Sequence, residues 1–244
     1  MLTCNSYYFK MIAQLKNIVS STLHLFYPHI CTGCGSDLLA AENLLCHHCI
    51  HNLPHTNFAQ FANNPIEKDF WGRIPLTAAY SQFYFSKEFL IQHLIHQLKY
   101  RGDTKIGFYL GEVMGKTMLN SNRFNTIDAL IPLPLYADKE RKRGYNQAAV
   151  ICNGMSSVMK IPVLNNAVIR QHATETQTRK TRTGRWENVK DSFKIAKAED
   201  LNNKHLLLVD DVVTTGATLE ACANVMLKLE HVTLSLATLA YAAK

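Results

Sequence analysis

The chain has 244 residues, of which 47% are apolar and 18% charged, and its formal net charge is +7. This composition excludes a disordered, collagen-like or coiled-coil protein, and it fits one α/β domain with a small accessory module. The basic balance favours an anionic partner, either a phosphorylated small molecule or nucleic acid.

We expect a cytoplasmic protein without membrane insertion. The most apolar stretch, residues 232–243, is interrupted by Thr and Ser and is about half the ~20 residues that a spanning helix needs. Gln14, Lys16 and Asn17 interrupt the apolar run near the amino terminus, so no signal peptide is expected. In the cytoplasm the seven cysteines would be reduced or metal-bound.

The first two predicted regions are an amphipathic helix within residues 1–27 and a cysteine-rich module at residues 28–55. The module contains two C-x-x-C pairs, Cys31 with Cys34 and Cys46 with Cys49, separated by 11 residues. Four thiolates at this spacing can close a tetrahedral Zn²⁺ site, and a Cys4 site is structural because it has no open position. A redox role or an iron–sulfur cluster remains the alternative.

Residues 56–78 have the composition of a linker, with Asn63-Asn64-Pro65 and Gly72, and residues 79–244 are predicted to form an α/β domain. Its expected strands are residues 80–85, 129–133, 161–163, 206–209 and 232–241. Its expected helices are residues 89–100, 106–119, 147–159 and 217–229. Alternating strands and helices predict a parallel sheet flanked by helices, with right-handed crossovers.

Two segments of the domain are basic. After Pro134 the chain runs through a loop with Arg141 and Arg143, and Gly144, Tyr145, Asn146 and Gln147 then open a helix. Arginine forks can grip a pyrophosphate group, whereas the alternative is a solvated basic turn. Residues 170–190 are predicted as a long mobile loop with Arg185. This loop would close over a reacting group, contact nucleic acid, or form a basic surface.

The third segment, residues 206–218, predicts a phosphate site. A buried strand delivers Asp210 and Asp211 to the carboxyl edge of the sheet, and Thr214, Thr215, Gly216, Ala217 and Thr218 begin a helix. The free N–H groups and dipole of a helix start suit a phosphate dianion. Carboxylates accept hydrogen bonds only, so the acidic pair suits ribose hydroxyls or hydrated Mg²⁺.

Residues 206–218 closely resemble the signature of type I phosphoribosyltransferases. The resemblance implies that Asp210 and Asp211 hold the ribose hydroxyls of phosphoribosyl pyrophosphate. It assigns the 5-phosphate to the loop of residues 214–218, with Mg²⁺ bridging pyrophosphate and ribose.

The whole chain, from about residue 20 to residue 243, resembles the ComF family, which is also called ComFC or GntX-like. The motifs that carry this likeness occur in order: the cysteine pairs, Lys99-Tyr-Arg-Gly102, Ile131-Pro-Leu-Pro134, Arg143-Gly-Tyr-Asn-Gln147, Thr174-x-x-Gln177, Arg185-x-x-Asn188 and the acidic pair with its loop. The family is associated with competence, the natural uptake of DNA, and the resemblance leaves the acceptor substrate open.

Three hypotheses follow. The first is Mg²⁺-dependent phosphoribosyl transfer, with Asp210, Asp211 and Arg143 as catalytic residues, and with Arg141, Lys99, Arg101 and Arg185 among the residues that bind substrate. The second is a non-catalytic protein that binds single-stranded DNA through basic and aromatic side chains among DNA-uptake proteins. The third is a regulator that binds phosphoribosyl pyrophosphate without turnover.

Overall fold

The computed structural model of the chain describes residues 30–37, 39, 43–85, 90–171 and 192–242. The chain divides after Asn52 into two compact units, and each is described by itself. No helix among the described residues has the length and apolar character needed to cross a membrane. The helix expected within residues 1–27 lies outside the described residues, and so does most of the loop expected at residues 170–190.

A four-stranded parallel sheet forms the centre of the second unit, in the order β1-β6-β5-β2. The strands of the described residues are β1 (Ala78–Tyr84), β2 (Ala129–Pro132), β3 (Val168–Arg170), β4 (Phe193–Ile195), β5 (His205–Val213) and β6 (Thr233–Tyr241). The parallel sheet predicted from the sequence is confirmed. Residues 206–209 of β5 are fully buried, as expected for an apolar run in an inner strand of a parallel sheet.

The helices of the described residues are α1 (His47–His51), α2 (Pro65–Phe70), α3 (Leu90–Tyr100), α4 (Thr104–Leu119), α5 (Ala137–Arg143), α6 (Gln147–Met159) and α7 (Ala217–Met226). Most bounds agree with the expected helices. Helix α4 begins two residues earlier than expected, because the Asp103 side chain accepts a hydrogen bond from Ile106 N–H at 3.2 Å and caps the helix.

Helices α4 and α6 approach each other closely because glycines lie where they meet. A Cβ atom placed on Gly111 would lie 2.2 Å from the carbonyl oxygen of Ile151, and one on Gly154 would lie 2.0 Å from that of Phe108. No side chain fits at such distances. The two backbones can touch only because both positions lack a Cβ atom.

The chain beyond β2 differs from the expectation in two places. The basic loop after Pro134 is in part a helix, α5, which ends at Gly144 with φ 88°, a conformation that favours glycine. The strand expected at residues 161–163 is reduced to a single bridge between Leu130 and Val163. Strands β3 and β4 form a separate two-stranded antiparallel sheet.

Residues 56–78 differ from the predicted linker, because they fold against the sheet. Phe58, Ile66 and Phe70 are buried in the main hydrophobic core. The fully buried Asn64 caps α2 by accepting from Glu67 N–H, and its amide group donates to the carbonyl of Ala79 on β1 at 2.8 Å. The polar residues that suggested a linker are therefore a helix cap and its attachment to β1.

Candidate functional site

The carboxyl end of β5 carries the two adjacent acidic residues. Successive side chains of a strand point to opposite faces, so Asp210 and Asp211 meet different neighbours. Asp211 forms an ion pair with Lys99 in the last turn of α3, with 2.8 Å between Nζ and Oδ2. The guanidinium group of Arg170 on β3 is close enough to Asp210 to act on its ionisation.

The carboxyl group of Asp210 has a strongly shifted pKa. Burial and the negative charge of Asp211 raise the pKa of Asp210 to about 8, against the opposing influence of the Asp211 N–H, Lys99 and Arg170. The Asp210 carboxyl group is therefore largely protonated at neutral pH. It can therefore both accept and donate hydrogen bonds, which suits the hydroxyl groups of a sugar.

The loop after β5 leads directly into α7. Gly216 is the N-cap residue and has φ 72°, a left-handed conformation that glycine adopts readily. Thr214 and Thr215 are exposed, whereas Ala217 and Thr218 are partly buried in the first turn of the helix. The structure thus brings the five predicted phosphate-loop residues to one helix start, beside the acidic pair.

Helix α2 and the residues that follow it contact this loop. The tip of the Phe70 ring lies 2.5 Å from the place where a Cβ atom of Gly216 would be, so residue 216 has to be glycine for a second reason. Arg73 donates a hydrogen bond from Nη1 to the carbonyl of Thr215 at 3.0 Å and from Nε to Glu220 at 3.0 Å. The loop of residues 214–218 is therefore held by Phe70 and Arg73, which belong to residues 56–78, the segment predicted to be a linker.

The predicted pyrophosphate residues occupy the turn between α5 and α6. Arg143 donates to the side chain of Gln147, and Tyr145 donates from its hydroxyl group to the carbonyl of Leu98. Asn146 caps α6 by accepting from Ala148 N–H at 2.9 Å. The hydroxyl of Tyr145 thus ties this turn to α3, the helix that also carries Lys99.

The remaining basic candidates are placed differently. Lys99 is engaged with Asp211, and Arg141 is an exposed side chain that pairs with Asp138 one turn earlier in α5. Arg101 is exposed just beyond the end of α3. Arg185 lies outside the described residues.

A cavity of about 450 Å³ opens beside the turn between α5 and α6. It lies between the carboxyl end of β2, the first turns of α6 and residues 165–170. Gly144, Tyr145 and Asn146 line it, together with Arg170. Arg170 stacks its guanidinium group 4.1 Å above the ring of Tyr136, so the cation near the acidic pair is held by an aromatic side chain.

In the first unit, the four predicted cysteines lie together. The sulfur atoms of Cys31, Cys34, Cys46 and Cys49 are all within 4.8 Å of one another, and those of Cys34 and Cys46 are 3.7 Å apart. Four sulfurs at about 2.3 Å from a tetrahedral ion would lie about 3.8 Å apart, so the cluster can hold one metal ion.

The local backbone favours the thiolate form of Cys31, whereas burial and the neighbouring cysteine side chains raise the pKa of Cys49. Cys46 N–H donates to the Cys31 sulfur at 3.2 Å. Burial acts against ionisation, but the amide groups of Cys46, Cys34 and Gly33 outweigh it and lower the pKa of Cys31 to about 6. Metal ions bind cysteine as thiolate, so these amide donors prepare the cluster for an ion.

Two residues beside the loop, Phe70 and Arg73, were missed by the sequence analysis, and Lys99 was predicted to bind substrate but not to pair with Asp211. Arg73 and Phe70 are separated from the loop by more than 140 residues, and no local pattern connects them. The helix signal that could have found them is Asn64-Pro65-x-Glu67, a cap residue followed by proline and a glutamate three positions on.

Comparison with known proteins agrees with this geometry. Residues 144–244 match the family model described as "Phosphoribosyl transferase domain". Competence protein F of Haemophilus influenzae is 28% identical over 217 residues, which are 85% of this chain and 88% of that protein. DNA utilization protein YhgH of Escherichia coli K12 is 28% identical over 203 residues, which are 82% and 84%.

A third relative, competence protein ComFC of Bacillus subtilis, is 31% identical over 101 residues, which are 41% of this chain and 38% of that protein. The chain is thus similar to the competence proteins F and ComFC, and its residues 144–244 match a phosphoribosyltransferase domain, which together support a ComF-type protein.

Proposed function

We propose that this protein binds phosphoribosyl pyrophosphate together with Mg²⁺ and transfers its phosphoribosyl group to an acceptor, in the service of DNA uptake. The observation that carries the proposal is the juxtaposition at the end of β5. A carboxyl pair is followed after two residues by a loop whose left-handed Gly216 starts α7.

Each part of the ligand has matching chemistry in this arrangement. The 5-phosphate suits the amide groups and hydroxyls of residues 214–218, and the ribose 2′- and 3′-hydroxyls suit Asp210 and Asp211. The pyrophosphate suits Arg143 and the amide groups that open α6. Arg143 would stabilise the charge that develops on the departing pyrophosphate.

Asp210 and Asp211 offer the carboxylate oxygens that hydrated Mg²⁺ prefers, and bound Mg²⁺ would neutralise charge on the pyrophosphate. The ion pair with Lys99, 2.8 Å between Nζ and Oδ2, holds the Asp211 carboxylate in place at the end of β5, where it can accept from a hydroxyl group. Turnover would need the acceptor to enter at the open carboxyl edge of the sheet.

The metal ion of the first unit is proposed to be Zn²⁺, which four-thiolate sites select, and its role is to hold that unit folded. The part in DNA uptake is supported by the relatives that are named competence or DNA utilization proteins.

Calorimetric titration with phosphoribosyl pyrophosphate and Mg²⁺ tests the proposal. We expect binding by the wild type and its loss in the Asp210→Asn/Asp211→Asn variant. A matched control is Glu199→Gln/Asp200→Asn, an adjacent acidic pair that precedes β5, and it should bind like the wild type. Absence of binding by folded, metal-loaded wild type would refute the assignment of the ligand.

A second candidate function, binding of single-stranded DNA without chemistry, is favoured by one exposed aromatic group. Tyr100 is 67% exposed, and the guanidinium carbon of Arg143 lies 5.9 Å from its ring centre. An exposed ring beside a cation can stack on a base.

Fluorescence anisotropy with a labelled oligonucleotide tests this candidate at two salt concentrations. Tyr100→Ala should weaken binding, and affinity should fall steeply with salt, because phosphate contacts release counterions. The control is Trp71→Ala, which removes another exposed ring with a cation, Lys68, above it. Equal losses in both variants would contradict a specific role for Tyr100.

A further inference from the structure

Arg73 connects three parts of the second unit that are far apart in sequence. Its guanidinium group donates to the carbonyl oxygen of Asp69 in α2 at 2.9 Å, to the carbonyl oxygen of Thr215 at 3.0 Å, and to the carboxylate of Glu220 in α7. It also lies 5.0 Å from the centre of the Phe70 ring, which packs under Gly216. One side chain thus ties α2 to the loop of residues 214–218 and to α7.

The bond to Thr215 fixes the orientation of a peptide group in the loop. In a planar trans peptide, the carbonyl and the following N–H point in opposite directions, and the described residues contain no cis peptide bond. When Arg73 holds the carbonyl of Thr215, the N–H of Gly216 points away from Arg73 and from α2. The Phe70 ring packs against Gly216 on the α2 side, so this N–H is directed away from α2.

The bond to Glu220 removes an electrostatic conflict. Glu220 lies in the first turn of α7, where its carboxylate would repel a phosphate dianion at the same helix start. Arg73 reaches this carboxylate with both Nε and Nη2, and the Glu220 side chain is only 16% exposed. Because the pair is largely shielded from water, the positive charge of Arg73 offsets the negative charge locally.

We propose that Arg73 is a positioning residue of the phosphate site, which orients the Gly216 N–H toward the ligand and neutralises Glu220. The ligand class is the phosphate monoester dianion of a sugar phosphate. This inference rests on the proposed function, because it assigns the 5-phosphate to the loop of residues 214–218.

The probe for the test is ribose 5-phosphate, which carries the phosphate and ribose but no pyrophosphate, titrated into the full-length metal-loaded protein by calorimetry. Four proteins are compared with the wild type: Arg73→Ala, Glu220→Gln, the double variant and Lys68→Ala. Lys68 is an exposed cation of α2 whose ammonium group lies over Trp71, so its removal is the matched loss of one positive charge.

We expect Arg73→Ala to lower the affinity for ribose 5-phosphate by about tenfold or more, which corresponds to the loss of one charge-assisted hydrogen bond. Adding Glu220→Gln to Arg73→Ala should recover part of the affinity, because the uncompensated negative charge of Glu220 is removed. The recovery should be partial, because the Thr215 carbonyl still lacks its hydrogen bond from Arg73. Lys68→Ala should stay within about twofold of the wild type, and Glu220→Gln alone should bind at least as tightly as the wild type, since neither removes the bond to Thr215 and the latter removes a negative charge from the helix start.

The rescue separates positioning from general damage, because a second substitution cannot restore binding to a protein that has merely lost its fold. If Arg73→Ala proves too unstable to titrate, Arg73→Lys takes its place, since it keeps the charge but not the fork that reaches Thr215 and Glu220 together. Wild-type affinity in Arg73→Ala or Arg73→Lys overturns the inference and leaves the proposed function intact. Absence of binding by the wild type overturns both.

Discussion

Asp210 carries an ionisable carboxyl group in an environment that disfavours its charged form. Its carboxyl group is placed beside Asp211 and removed from water, which raises its pKa from 3.8 to about 8. Between these two values the folded state holds a proton that the unfolded state has released. The free energy of unfolding therefore falls as the pH rises through this range, and the loss is complete above pH 8.

Replacing Asp210 by Asn should raise the melting temperature at pH 8, because the amide cannot ionise. A few degrees are expected, since about 1 kcal/mol corresponds to roughly 2–4 °C in a domain of this size. At pH 4 the difference from the wild type should be small, because the carboxyl group is then protonated in the folded state. Calorimetric melting at both pH values measures this.

The control for this prediction is Glu199→Gln, which neutralises an exposed carboxylate before β5 and should leave the melting temperature unchanged at both pH values. An equal gain for Asp210→Asn at pH 4 and pH 8 would contradict the raised pKa. Asp210→Asn should also weaken ligand binding. Functional sites often contain groups that lower the stability of the folded protein but are needed for activity.

At the scale of single residues, the sequence predicted which side chains lie between β5 and the start of α7 but not which groups hold them. The acidic pair and residues 214–218 are contiguous, so a strand followed by a helix was enough to bring them together. The partners Lys99 and Arg73 reach the site through tertiary contacts. Such contacts depend on how helices pack on the sheet, and no local spacing encodes that.

At the scale of elements, the pair of helices α4 and α6 is the tightest packing among the described residues that glycine makes possible. Gly111 faces the Ile151 carbonyl and Gly154 faces the Phe108 carbonyl, so backbone meets backbone in both directions. Backbone atoms cannot rotate aside as a side chain can. A methyl group at either position must push the helices apart.

Gly111→Ala and Gly154→Ala should each lower the free energy of unfolding by about 1–3 kcal/mol or more, the usual range for overpacking. Urea denaturation followed by circular dichroism measures the loss. Gly115→Ala is the graded control, because its Cβ atom would lie 3.1 Å from the Met155 carbonyl, and a small shift accommodates it. A larger loss in Gly115→Ala than in Gly111→Ala would contradict the backbone clash.

Helix α2 shows why the boundary of the domain was misplaced in the sequence. Its six residues are too few to display an amphipathic period, and the asparagines and proline before it have the composition of a loop. In the fold, Asn64 is buried and bonds the carbonyls of Phe58, Phe61 and Ala79. The sequence alone does not distinguish a buried polar residue, whose hydrogen-bond partners are supplied by the fold, from an exposed one.

At the scale of the whole molecule, the cysteine cluster should give the protein one metal ion per chain. Elemental analysis should find about one equivalent of zinc in the wild type and a loss of it in Cys49→Ala. Cys152→Ala is the control, because Cys152 is buried in α6 of the other unit and should keep the metal. Full zinc content in Cys49→Ala would contradict the four-thiolate site.

The class of fold was readable from the sequence because each inner strand is an apolar run that alternates with a helix. The order of the strands was not readable. Strand β5 pairs with β2 and β6, and β6 pairs with β1, which lies about 150 residues earlier in the chain. Strand order depends on these distant pairings, and hydrophobic periodicity reports only on neighbours in sequence.

The pairing of β1 with β6 also determines when the sheet can form during synthesis of the chain. Strand β1, with α2 attached to it, emerges early, yet its hydrogen-bonding partner among the described strands is β6. Long-range parallel pairing is slow, and an unpaired strand edge is open to association with other chains. A nascent chain must therefore carry β1 without this partner until β6 has been synthesised, and the sheet beside the loop of residues 214–218 is completed only then.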